Sequence, residues 1–227
     1  MSFFDILKEK LPQHDLINSG RGGDTVISLY RRIKKLSLSE SYDIAFLWVG
    51  VNDVFVHVSW KFPIAKLLFN QRWTKNIDDF IKCYQRLLEA ITHNAKKTFV
   101  VSPSIIGEEI HNTWNKRLGK LSVEIEALAA KYENVEYIDV RKDFILTLSS
   151  KKSSPFIPYR IMVDIIIAYL LNDPERVERK SKNRKLYLTL DGVHLNSLGA
   201  HIVAKIFLHC IKKCESRILQ FKGDMCK

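Results

Sequence analysis

Apolar residues fall in short blocks separated by polar turns, and their spacing switches between helical and extended periods. Ser2–Leu11 carries Phe3, Phe4, Ile6, Leu7 and Leu11 with charges between them. That spacing predicts a short amphipathic helix, with Ser2 as its N-cap and Pro12 just past its end. Asp15–Asn18 (DLIN) reads as a short strand, and the Gly-rich turn SGRGGDT (Ser19–Thr25) follows it. Val26–Leu36 returns to helical spacing. The central stretch is Tyr42–Asp53, in which the run Ile44–Val49 stops at Gly50-Val51-Asn52-Asp53. A continuous apolar run closed by turn residues predicts a strand buried on both faces.

Val54–Gln71 is aromatic and apolar around Pro63 and fits a short helix plus loop beside a cleft. Trp73–Asn94 has Ile77, Phe80, Ile81, Tyr84, Leu87, Leu88 and Ile91 at i, i+3, i+4 spacing, so a long helix is predicted. Thr98–Ser102 and Val135–Val140 read as strands. Between them Asn112–Tyr132 reads as a helix with Leu118, Leu121, Ile125, Leu128 and Ala129 on one face. Pro158–Leu171 reads as a helix and Arg176–Lys185 as a basic loop. Leu186–Leu190 leads into Asp191-Gly192-Val193-His194, and Ser197–Lys213 is the closing helix. Strand and helix alternate without an internal repeat or a Gly/Ser linker. The expected fold is a single α/β domain over residues 1–213, a doubly wound parallel sheet, with a tail at 214–227. Right-handed crossovers then bring the strands' carboxyl ends to one edge, where ligands bind.

Composition narrows the function classes. The chain has 227 residues, 46% hydrophobic and 27% charged, as a globular protein does. Its net charge of +11 permits anionic partners. The densest basic run, Arg176–Lys185, has no interleaved aromatic residue, so a solvated face is expected there rather than a nucleic-acid site. Cys83, Cys210, Cys214 and Cys226 include no C-x-x-C pair. Reduced thiols and a cytoplasmic setting are expected, with no metal site. The most apolar segment, Ile161–Leu171, holds Asp164 and is too short to span a bilayer.

Three turns converge on the predicted edge: Gly22–Thr25, Gly50–Asp53 and Asp191–His194. Their residue types suit acyl transfer. His194 can accept a proton from a hydroxyl at neutral pH, and Asp191, three residues earlier, can hold its tautomer. The Gly23 N–H, near a helix start, and the Asn52 amide are two candidate donors for an oxyanion. Each turn also has an ordinary reading. Asp24 or Thr25 can cap the following helix, and Asp191-Gly192 is a common turn pair. The glycines do not complete G-x-G-x-x-G, which argues against a dinucleotide site.

Taken together, NSGRGGDT, GVND and DGVHLNSLGAHIVA resemble blocks II, III and V of the GDSL, or SGNH, hydrolases, over Ser2 to about Lys213. The resemblance implies a flavodoxin-like three-layer fold and a serine ester hydrolase. In it Gly23 and Asn52 would form the oxyanion hole, and Asp191 and His194 would complete the triad. It also implies a small-molecule ester substrate, of the acyl ester, acetylated sugar or lysophospholipid class, and no cofactor. One block is absent. No Gly-Asp-Ser and no apolar strand precede the first helix, so the family's first strand and its serine are missing from this sequence. Two readings follow: an esterase truncated at its N-terminus, or a non-catalytic binding protein that keeps the pocket. A third is a surface-binding protein centred on Arg176–Lys185. Without its first strand the domain is expected to be marginal alone, or to fill the gap with another segment. Pocket walls are expected from Val54–Gln71, Ile105–Thr113 and Ser149–Arg184.

Overall fold

In the computed structural model, residues 1–35, 41–58, 71–153, 155 and 174–224 are described, those at 174, 176–178, 180 and 217–224 for the backbone alone. The elements run α1 (Phe3–Lys10), α2 (Val26–Lys35), β1 (Tyr42–Leu47), α3 (Val51–Phe55), α4 (Ile77–Thr92), β2 (Ala95–Val101), α5 (Thr113–Ala129), β3 (Val135–Ile138), α6 (Val140–Leu148), α7 (Pro174–Asn183) and α8 (Ser197–Asp224). The three strands form one parallel sheet in the order β1-β2-β3. This is the α/β architecture that the alternating pattern predicts.

The period of two along β2 divides the interior. Val100 faces a core built with Phe80, Tyr84, Leu87 and Leu88 of α4 and Leu118, Leu121 and Ile125 of α5. Its neighbours Phe99 and Val101 face a second core with Phe144 of α6 and Val203 and Phe207 of α8. All three β2 residues are fully buried. A strand covered on both faces reads as a continuous apolar run, because no side of it meets water. Phe46 of β1 stacks on both Phe99 and Phe207, with ring centroids 5.1 and 4.2 Å apart. Phe3 of α1 meets Trp48 and Phe207 edge-on, which draws α1 against α8.

Local signals set several helix ends. Ser2 and Asp5 form a reciprocal capping box, so the Ser2 hydroxyl is engaged in holding α1. The Asn76, Asn112 and Asp139 side chains cap α4, α5 and α6. The cap at Asn76 explains why α4 starts at Ile77 rather than at Trp73.

Four expectations are corrected. Asp15–Asn18 forms no strand: Ile17 is 56% exposed, and no ladder partner lies beside it among the described residues. An isolated extended segment cannot satisfy its own N–H and C=O groups, so it needs a neighbouring strand to become one. Val135–Val140 divides at Asp139, which ends β3 and caps α6, a helix not anticipated. Its buried Val140, Phe144 and Leu148 recur every fourth residue. Arg176–Lys185 is mostly helical, within α7, and not a loop. The closing helix runs on through Lys213 to Asp224. The helix expected over Pro158–Leu171, most of Val54–Gln71, and Cys226 lie outside the described residues. Cys83, Cys210 and Cys214 are free thiols.

On its outer side β1 has no strand partner among the described residues. Helix α1 packs chiefly on α8 and α2 chiefly on α4, so each leans on another helix rather than on β1. Ile44, Ala45 and Phe46 remain half-buried at this edge. Since Phe99 closes the core between β1 and α8, Phe99→Ala should lower the unfolding free energy by about 3–5 kcal/mol. Urea denaturation followed by circular dichroism will measure the loss; a change below about 1 kcal/mol would contradict this packing.

Candidate active site

Asp191 and His194 come together as the spacing suggested. The His194 Nδ1 lies 2.7 Å from Asp191 Oδ2. The other carboxylate oxygen accepts the backbone N–H groups of Val193 and His194, at 2.9 and 2.8 Å. Both oxygens of a buried carboxylate are thus committed, and the imidazole is held by the loop that carries it. With Nδ1 on Asp191, Nε2 is the nitrogen left for proton transfer. The hydrogen bond that His194 Nδ1–H donates to Asp191 raises the His194 pKa above its ordinary 6.5; desolvation opposes this, and the Asp191 charge adds to it.

That loop is itself a small closed unit. Thr189 and Leu195 form an antiparallel bridge, Leu190 N–H donates to His194 O at 2.7 Å, and Asn196 N–H donates to Leu188 O at 3.0 Å. The first turn of α8 presses against it. A Cβ placed on Gly199 would lie 2.3 Å from Leu188 O, so only glycine fits there.

The other two turns meet at a second place. Gly50 (φ 126°) ends the central stretch, and a Cβ on it would stand 2.9 Å from Pro103 Cγ. Asn52 and Asp53 lie in the first turn of α3, not in an irregular turn. Both reach back to the Gly-rich segment: Asn52 Nδ2 donates to Asp24 O at 3.1 Å, and buried Asp53 Oδ2 accepts Val26 N–H at 3.0 Å. Thr25 caps α2 by accepting Ser28 N–H, and its hydroxyl donates to Arg72 O. The Asp24 carboxylate pairs with Arg32. The polar pair of G-x-N-D therefore grips the Gly23 turn, where Gly23 itself takes φ 81°. One N–H of the Asn52 amide goes to Asp24; a primary amide has two.

A cavity of about 210 Å³ lies here, lined by Gly20, Arg21, Asp24, Trp48, Asn52 and Ser104 among others. Gly23 and His194 are not among its lining residues. Ser102, at the end of β2, is fully buried; its hydroxyl accepts Arg141 N–H and its carbonyl accepts Trp48 Nε1–H. It is a structural residue.

Reading the sequence missed the link between the two places, the segment Ser102–Asn112 after β2. Its Ser104 touches the cavity. Its Gly107 N–H donates to Gly192 O at 2.7 Å, and its buried Glu108 accepts four hydrogen bonds from residues 187–189. Asn115 of α5 braces the segment from behind, accepting Ile106 N–H and donating to Gly107 O and Glu109 O. The buried Arg141 guanidinium donates to Ser104 O and Asn115 O. The available signal was polar residues (Glu108, Asn112, Asn115) spaced through a stretch that otherwise follows a core strand.

Residues 2–202 match the GDSL-like lipase/acylhydrolase family. The chain belongs to that family. No curated protein matches the chain. Among solved structures, the acetyl xylan esterase AlAXEase is similar at 28% identity and a TM-score of 0.65, covering 92% of this chain and 90% of its own. The acetylxylan esterase Axe2 from Geobacillus stearothermophilus matches at 17% identity and a TM-score of 0.65, covering 92% of this chain and 80% of its own. An α/β hydrolase from the metagenome of Lake Arreo, Spain, has 17% identity and a TM-score of 0.62 over the same shares. The last two speak to the fold alone. By family the chain is an ester-bond hydrolase, and no helix among the described residues is long and apolar enough to cross a membrane.

Two outcomes follow from the geometry. In NMR titrations the His194 ring should titrate above 6.5, and Asp191→Asn should bring its midpoint down, because the bond that favours the imidazolium is weakened. An unchanged midpoint in the variant would contradict the pairing. Asp53→Ala should cost about 1–3 kcal/mol in denaturant unfolding, since Val26 N–H loses its buried acceptor.

Proposed function

We propose that the protein provides the base, the orienting acid and the oxyanion donors of a serine ester hydrolase, and that its nucleophilic serine lies on a strand outside this sequence. The observation that carries the reading is the 2.7 Å Asp191–His194 pair, locked by backbone hydrogen bonds. The family supports ester hydrolysis. The outer edge of β1, which has no strand partner among the described residues and lies beside the Asn52 cavity, supports such a strand. Such a strand would run parallel to β1 and end near Trp48–Asn52, at the carboxyl edge of the sheet.

In this mechanism the serine Oγ attacks the ester carbonyl carbon and its proton passes to His194 Nε2. The carbonyl π electrons move to oxygen, where Asn52 and the Gly23 N–H stabilise the negative charge. The C–O bond then breaks, and the alcohol departs with the proton from His194. Water enters by the same route to release the acid and restore the serine. Asp191 keeps the ring oriented and stabilises its charged form. No cofactor takes part.

A short acyl group on a sugar is the favoured substrate. The similarity to an acetyl xylan esterase at 28% identity supports it. The alternative is a binding protein with the same pocket and no nucleophile, favoured by the absence of a Gly-Asp-Ser strand from these 227 residues.

The protein purified from its natural source should hydrolyse p-nitrophenyl acetate and react with a fluorophosphonate probe at a serine outside these 227 residues. His194→Ala in that full protein should lower turnover by about 10²–10⁴-fold. The raised His194 pKa leaves the ring protonated to higher pH, so kcat/KM should rise as pH passes upward through a midpoint above 6.5. The stabilising effect of the His194 shift runs the opposite way: it is present just below the ordinary imidazole value of 6.5 and is lost as pH rises through the raised midpoint. Absence of probe labelling in the natural protein would favour the binding reading.

A further inference from the structure

The buried carboxylate of Glu108 has no part in the chemistry proposed above, yet it meets the catalytic loop at four points. Its Oε1 accepts Leu188 N–H at 2.8 Å, Thr189 N–H at 2.8 Å and the Thr189 hydroxyl at 2.7 Å; its Oε2 accepts Tyr187 N–H at 2.7 Å. Only 3% of Glu108 is exposed. The residues it binds immediately precede Asp191. The Thr189 hydroxyl in turn accepts Gly192 N–H at 3.1 Å, and the Thr189 carbonyl accepts the Ser181 hydroxyl of α7.

These contacts form a clamp with two jaws, Glu108 on 187–189 and the Gly107 N–H on Gly192 O. Asp191 lies between the two gripped stretches in the chain. Behind the clamp, Asn115 and Arg141 hold Ser104 and residues 106–109 by hydrogen bonds to their backbone. The same segment lends Ser104 to the cavity wall. A single rigid piece after β2 therefore registers the acid-base pair against the pocket.

We infer that Glu108 is a positioning residue for His194, setting the Asp191–His194 geometry through its grip on residues 187–189. The inference rests on the proposed role of His194, but it can be judged without turnover. Four donors converging on one carboxylate require an acceptor at both oxygens. A glutamine would turn an NH2 group toward one or more of them, so the 187–189 backbone would have to move. An alanine or leucine would leave those donors unsatisfied in the interior.

The test is titration of the His194 ring by NMR in this chain and its variants, with amide hydrogen exchange alongside. Asp191 is the charged group acting on the ring, so the midpoint reports the Asp191–His194 distance. In Glu108→Gln the midpoint should fall toward 6.5, and exchange at Leu188 and Thr189 should quicken by about tenfold or more while Phe99 and Val100 keep their protection. Glu108→Asp keeps the charge but draws the carboxylate back from residues 187–189; it should lower the midpoint in the same direction by a smaller amount. An unchanged midpoint in a folded Glu108→Gln protein would overturn the inference and leave Glu108 a stabilising residue only. A shift in Glu108→Gln with none in Glu108→Asp would overturn it too, since charge rather than position would then be the cause. If Glu108→Gln does not fold, the Glu108→Asp result decides. A chain that hydrolyses no ester still gives these readings, so failure of the esterase proposal is separable from failure of this one.

Discussion

Phe99 and Val101 of β2 lie in one core and Val100 in the other, with no access to water on either side. Burial on both faces fixes the register of this strand strongly, because a slip by one residue would exchange the faces. Its carboxyl end then becomes the least movable point of the sheet. From that point the chain passes through Ser102, whose hydroxyl and carbonyl hold Arg141 and Trp48, into the segment bearing Ser104, Gly107 and Glu108. The pocket wall and the clamp on the Asp191–His194 loop are thus anchored to the same strand end. Precision at His194 is inherited from hydrophobic packing some distance away.

Three buried carboxylates hold the loops around the site. Asp191, Asp53 and Glu108 are all buried, and each carboxylate accepts backbone N–H groups. A buried carboxylate is tolerable only when such donors replace water. Each also joins stretches the chain separates: Asp53 ties α3 to α2, and Glu108 ties the loop after β2 to the loop before α8. The acidic side chains fasten the loops, and the loops then present His194 and Asn52.

Much of this was legible in the sequence. The spacing in α4 and α5 identified Phe80, Tyr84, Leu87, Leu88, Leu118, Leu121 and Ile125 as core because one helical face must be apolar to pack on a sheet. The Asp191–His194 contact was legible because three residues suffice to close it. Asp15–Asn18 misled, because extended propensity becomes a strand only beside a partner. Helix α6 was hidden by its immediate junction with β3, which left no turn residue except the cap Asp139. Glu108 stood out only as a polar residue after a core strand: its partners are about eighty positions away, and sequence periodicity carries no record of contacts at that range.

Among the described residues the outer edge of β1 has no strand partner, which has a consequence beyond catalysis. A row of unpaired N–H and C=O groups is a template for any extended segment, including the same strand in another copy. Along Tyr42–Leu47 the charged side chain is Asp43, exposed and bridged to Lys96. That carboxylate is placed as a gatekeeper, since two such edges approaching antiparallel would each have to accommodate a charge. Asp43 thus disfavours pairing of this edge with the same strand of a second copy.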